Sequence, residues 1–213
     1  MILFKFVSAT FRVKIGINSK LLSHNLLKSV FISSKKHKLS LLISSKEVTA
    51  LSDFLEITIN EKVLILNTNL GIEIYYHSEI DYTNLITHSF LLIVSKKGNE
   101  TTEYRIAPFR TFPELKNGLQ QMLIRLNSMP LAFNCYSKSI IHQLNKNYEK
   151  NNQLIASLFS VWKQILVLIN LNEQSNQRLN QFKKTLEEFG EKSNVNAILK
   201  QLIANATNVM RQN

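Results

Sequence analysis

Glycine and proline are scarce, at 5 and 3 of 213 residues, and cysteine occurs once, as Cys135. With so little glycine the chain has no P-loop, no dinucleotide fingerprint and no Gly-x-Ser-x-Gly elbow. A single thiol excludes an intrachain disulfide, which points to a reducing compartment or a disulfide-free fold. Cys135 reads as a buried thiol, since no orienting partner accompanies it. His24, His37, His77, His88 and His142 are scattered, and none has the His-x-x-x-His spacing of a metal site. The most apolar run, Ile165 to Ile169, lies beside Lys163 and Gln164 and falls short of the ~18 residues that span a bilayer. No catalytic residue, cofactor, metal site or transmembrane segment is therefore expected.

Acid is missing locally. Residues 1–46 contain nine Lys and Arg and no Asp or Glu, so they carry +9 of the net +11. Residues 47–130 carry −3 and residues 131–213 carry +5. A nucleic-acid domain concentrates its basic residues on a folded face, and the middle of this chain does not, so it does not point to nucleic acid. Residues 1–38 form a basic, Ser-rich segment with two readings. It is either a transit peptide or a folded start. In the folded reading Phe11, Val13, Ile15 and Ile17 alternate as a strand, and Leu21 to Phe31 is a short helix bearing Leu22, Leu26 and Val30. The folded reading implies an intracellular, cytoplasmic protein; the other implies a mitochondrion or another organelle.

Residues 39–130 read as an antiparallel sheet with a capping helix. Leu41–Ser45, Phe54–Ile59, Val63–Leu66, Gly71–Tyr76, Glu79–Leu85, Phe90–Val94 and Tyr104–Ala107 are the expected strands. Val63–Leu66 is apolar throughout, as a strand buried on both faces would be. Asn67-Thr68-Asn69 before Gly71 is turn chemistry, and Lys97-Gly98-Asn99-Glu100 reads as a hairpin loop. Thr111 and Glu114 make a capping box with Pro113 in the first turn, so a helix starts near Phe112. Leu115, Leu119, Met122 and Leu126 give it one apolar stripe, and Gly118 allows close approach of a strand.

Residues 131–213 read as helices. Ile141, Tyr148, Ile155, Trp162 and Ile169 recur every seven residues, with Asn151 at a seam position. A second helix carries Leu179, Phe182, Leu186 and Phe189, and a third runs from Val195 to Val209. Glu73, Glu79 and Asp81 cluster near one turn, and paired carboxylates are a candidate for acid–base work. The alternation around Glu73 places it instead on a solvated face. His77 and His88 could meet across a sheet.

The order of strands from Val63 to Ala107, closed by the helix Phe112–Leu126, resembles the pleckstrin-homology/phosphotyrosine-binding superfold. That resemblance implies a peptide added beside the strand Glu79–Leu85, at Ile80 and Tyr82, against Leu119 and Leu123 of the helix. No Lys or Arg lies between Val63 and Ser95, which disfavours a phosphate ligand. In the helical third, Ile155 and Trp162 are the candidate anchors for another helix or a second copy.

The sequence thus implies an α+β fold: an antiparallel sheet or partly open barrel capped by a helix, then a C-terminal helical hairpin or bundle. The functional expectation is a non-catalytic protein-interaction adaptor or assembly subunit whose partner is another protein or a second copy of itself. The alternative is an organelle-imported subunit of a large ribonucleoprotein assembly that uses its basic termini.

Overall fold

The computed structural model describes residues 26–34, 41–95, 103–169 and 176–191. The described chain runs β1 (Leu27–Ser34), α1 (Ser45–Ile59), β2 (Val63–Thr68), β3 (Gly71–His77), α2 (Thr83–Ser95), β4 (Tyr104–Phe109), α3 (Phe112–Asn127), α4 (Pro130–Ile169) and α5 (177–191). The strands form one open antiparallel sheet in the order β2-β3-β1-β4. The fold is α+β, and the sheet is open rather than closed into a barrel.

Alternation sorts the strand side chains between two cores. Val30, Ile32, Val63, Ile65, Ile72 and Ile74 pack with Leu51 and Leu55 of α1 and with Ile86 and Phe90 of α2. Leu27, Leu64, Leu66 and Tyr75 face the other way and join the core of α3, α4 and α5. The sheet is thus the middle of three layers. This explains why β2 is buried at every position, as its unbroken apolar run predicts. The β2–β3 turn at Asn69 and Leu70 is also as expected. A Cβ on Gly71 (φ +143°) would lie 2.2 Å from the Ile32 carbonyl oxygen of β1, so only glycine fits there.

Four expected strands are not strands. Leu41 to Ser44 is irregular and leads into α1, which takes in Phe54–Ile59. A capping box was present in the sequence: Ser44 N–H donates to Glu47 Oε2 at 2.6 Å, and Glu47 N–H donates to Ser44 Oγ. Leu51, Leu55 and Ile59 are buried at a spacing of four, whereas Ile57 is 82% exposed, so the helical period overrides the short alternation. Residues 79–82 are irregular, and Thr83–Ser95, with Phe90–Val94 inside it, is α2. Asp81 Oδ1 accepts from the Thr83 N–H at the start of that helix. A run such as Phe90–Val94 is apolar at every position and has no period to separate strand from buried helix.

The N-terminal boundary moves as well. Leu27 to Phe31, expected in a helix, belongs to β1, which pairs with both β3 and β4 in the middle of the sheet. A division at residue 38 therefore cuts the sheet. The readings for residues 1–25, the basic break at 35–38, the loop Lys97–Glu100 and the helix Val195–Val209 lie outside the described residues. Among the described residues the element before β4 is α2, so the loop is not flanked by the two expected strands.

In the C-terminal third α4 begins at Pro130, and its helical geometry breaks at Asn151 (φ −127°, ψ 29°). The Phe182 ring of α5 lies 5.9 Å from both Phe133 and Trp162. A straight helix would carry those two residues roughly 43 Å apart, so α4 doubles back at Asn151. The seven-residue repeat expected to continue past Asn151 is folded into a hairpin. Ile155 and Trp162 are buried, while Ile141, Tyr148 and Ile169 sit at the core margin. By length and composition Pro130–Ile169 contains a stretch apolar enough to cross a membrane, at mean hydropathy 1.4. Buried core helices share that property, and this one supplies Leu158, Val161, Trp162 and Ile165 to the core.

Candidate functional site

The sheet face beneath α3 holds a cavity of about 720 Å³. Its floor follows from strand register. Tyr75 of β3, Ser29 of β1 and Phe109 of β4 stand side by side. Glu73, Phe31 and Ala107 form the next row, and Gly71, Ser33 and Arg105 the third. Serine, alanine and glycine at these positions are too small to reach the helical layer, so volume remains under α3.

α3 is set above this floor by local signals in its sequence. Thr111 and Glu114 form the expected capping box. Gly118 lies against the Phe109 ring, where a Cβ would come within 2.3 Å of Cε1. This close approach of helix to strand is the one Gly118 was expected to permit. Leu115, Leu119, Leu123 and Leu126 are buried, and Leu119, Gln121, Met122, Arg125 and Leu126 line the cavity. Phe31, Leu70, Phe109 and Met129 complete largely apolar walls, while Arg105 and Arg125 are exposed at the mouth.

Glu73 is the charged residue of the floor's centre, and it is 2% exposed. The Tyr75 hydroxyl donates to Glu73 Oε2 at 2.5 Å, and the Tyr136 hydroxyl of α4 donates to the same oxygen at 3.4 Å. Glu73 Oε1 is buried and has no hydrogen-bond partner. Burial raises the carboxyl from 4.5 to about 7, although both tyrosine hydrogen bonds act to lower it. Burial and the neighbouring Glu73 push both phenols well above 10, so they remain donors. The result is a carboxyl group held through one oxygen, with the other buried and unpartnered, in a residue that lines the cavity.

Glu73 was expected on a solvated face, and the layering overturns that. The signal was in the sequence: β2 is apolar on both faces, which means the sheet is covered on both sides, and β3 is its neighbour. Glu79 and Asp81 do not join Glu73. They follow β3 in an exposed loop, where Asp81 Oδ2 accepts from Arg110 Nε at 2.6 Å. Against the desolvation that would raise it, hydrogen bonds from Thr83 and Arg110 hold the Asp81 carboxyl at about 2.

The residues expected to bind a partner are dispersed. Ile80 is 60% exposed in the loop before α2, and the Tyr82 ring packs edge-on against Tyr76 at 5.9 Å. Neither lies on a strand, so residues 79–85 offer no sheet edge. Leu119 lines the cavity, whereas Leu123, Ile155 and Trp162 are core residues at 0–1% exposure with no surface to offer. His77 bonds Ser157 at 3.1 Å and His88 is exposed on α2, on the opposite face of the sheet, so the two do not meet. Cys135 is exposed, contrary to expectation, because the register that buries Phe133 and Tyr136 turns it outward. Among the described residues no group of three His, Cys, Asp or Glu could hold a metal ion.

No family model, curated protein or solved structure matches this chain.

Proposed function

We propose that this chain is a non-catalytic binding module whose cavity between the sheet and α3 takes one small, largely apolar molecule. The observation that carries this reading is a cavity of about 720 Å³ with apolar walls and a buried, unpaired carboxyl oxygen on its floor. Ligand sites of roughly 300–1,000 Å³ combine mostly apolar linings with a few placed polar groups. The experiment is a titration of n-hexanol followed by ¹H–¹⁵N NMR. Saturable shifts at Ser29, Ala107 and Gly118 are expected in the native chain. They should be lost in Ala107→Phe, which fills the floor, and weakened in the milder Ala107→Leu. Absence of saturable shifts, or identical binding by a folded filled variant, contradicts the reading.

The interaction-module reading of the sequence keeps one supporting observation. β4 hydrogen-bonds only β1 among the described residues, and it contains Pro108, a residue tolerated at a sheet edge. An extended peptide could add there through main-chain bonds. The other edge is capped at Asn67: Gln143 of α4 accepts from the Asn67 N–H of β2 at 2.7 Å and donates to its carbonyl at 2.9 Å.

A further inference from the structure

We infer that the molecule held in this cavity carries a protonated amine, which docks on Glu73 Oε1. The inference rests on the cavity being a ligand site and names the chemistry of its ligand. Both tyrosine hydroxyls are spent on Oε2. Oε1 is buried and unpartnered in a residue that lines the cavity, and the neighbouring floor residues, Phe31, Ala107 and Ser29, include no cation. Arg105 stands across β1 and one row further on, two strand spacings and one same-face step away, roughly 12 Å between Cα atoms. Arg125 reaches the cavity from α3 and is exposed. Neither neutralises the floor.

A buried carboxylate with one oxygen unpaired is stabilised most by a donor that also carries positive charge. The fold has already removed water from Glu73, so an ammonium that reaches Oε1 displaces none there, and only its own hydration is lost. An alcohol offers a neutral hydrogen bond, which is weaker. An anion at the floor would meet Glu73 without a counter-charge. The walls fix the remainder of the ligand: Phe31, Leu119, Met122 and Leu126 call for a hydrocarbon or aromatic body behind the amine.

The test compares n-hexylamine, n-hexanol and hexanoate by NMR titration of the whole chain at about pH 8, where Glu73 is ionised and an alkylamine is still charged. The expected result is hexylamine bound more tightly than hexanol by roughly tenfold or more, with hexanoate weakest. Glu73→Gln should erase that preference and retain hexanol. A second reading guards against a misfolded variant. In the native chain hexylamine binding should weaken as pH falls from about 8 to 5.5 and Glu73 takes up its proton, while hexanol binding holds. The charged and titratable groups around Glu73 are Tyr75 on β3, Tyr136 on α4, Arg105 on β4 and Arg125 on α3, and both phenols are pushed well above that interval. His77, further along β3, bonds Ser157 and is not part of the lining. A pH effect that survives Glu73→Gln belongs to another group and contradicts the inference. Equal binding of amine and alcohol, or tightest binding of hexanoate, overturns the amine while leaving the cavity a ligand site. Binding of none of the three overturns both.

Discussion

Glu73 is the residue at which stability and function are set against each other. Its carboxyl titrates at 4.5 when solvated and at about 7 in the fold. Between those values the folded chain keeps a proton that the unfolded chain has released. Stability is therefore fullest below about pH 4.5 with respect to this group, and falls as pH rises through about 7. The decline is roughly 3 kcal/mol. Glu73→Gln keeps an acceptor for Tyr75 and removes the charge. Urea denaturation should show the variant more stable than the native chain at about pH 8, with the decline between about pH 5 and 7 abolished. An unchanged decline would place the titrating group elsewhere. Tyr75→Phe removes the closer donor, so it should destabilise by roughly 1–3 kcal/mol above about pH 7, and by less when Glu73 is protonated. The same denaturation series reads both.

At the level of elements, α3 decides whether there is a cavity. Gly118 and Phe109 fix the height of its first turns above β4. Gly118→Val would drive a side chain into the Phe109 ring. The ring must then swing, and the expected outcome is a folded protein that loses hexanol binding, read by the same NMR titration. Thr111→Ala removes half of the capping box and should lower stability by roughly 1 kcal/mol, measured as a shifted urea midpoint. Elements were legible where a sequence signal was unambiguous. The capping box at Thr111, the turn before Gly71 and the stripe Leu179, Phe182, Leu186, Phe189 all appear where they were expected. Alternation misled in short windows. Phe54–Ile59 alternates over six residues, but its Leu55 and Ile59 continue a four-residue spacing that Ser44 and Glu47 had already opened. The bend in α4 was not legible, because Asn151 suits a helical seam as well as a turn, and only the packing of Phe182 between Phe133 and Trp162 distinguishes them.

On the scale of the whole molecule, the division into a sheet domain and a helical third has no counterpart in the packing. Trp162 and Leu179 share one core with Leu64, Leu66 and Tyr75 of the sheet. Fluorescence of Trp162, the one tryptophan, and far-ultraviolet circular dichroism should therefore report a single coincident unfolding transition. Two separated transitions would restore the division. Trp162→Ala should destabilise by roughly 3–5 kcal/mol, in keeping with a fully buried ring deleted from a common core. The cavity belongs to this scale too. Its floor draws on β1, β3 and β4, and its roof on α3, so no single segment of sequence announces it. Glu73 stood in plain view within Gly-Ile-Glu-Ile-Tyr-Tyr, yet its burial depends on helices that begin only at Phe112 and Pro130. The most direct measurement is the carboxyl-carbon NMR titration of Glu73, with and without n-hexylamine. The account predicts a midpoint near 7 in the free chain, moved below about 5.5 by saturating amine. A midpoint near 4.5 in both samples would show Glu73 to be an ordinary solvated acid and would contradict it.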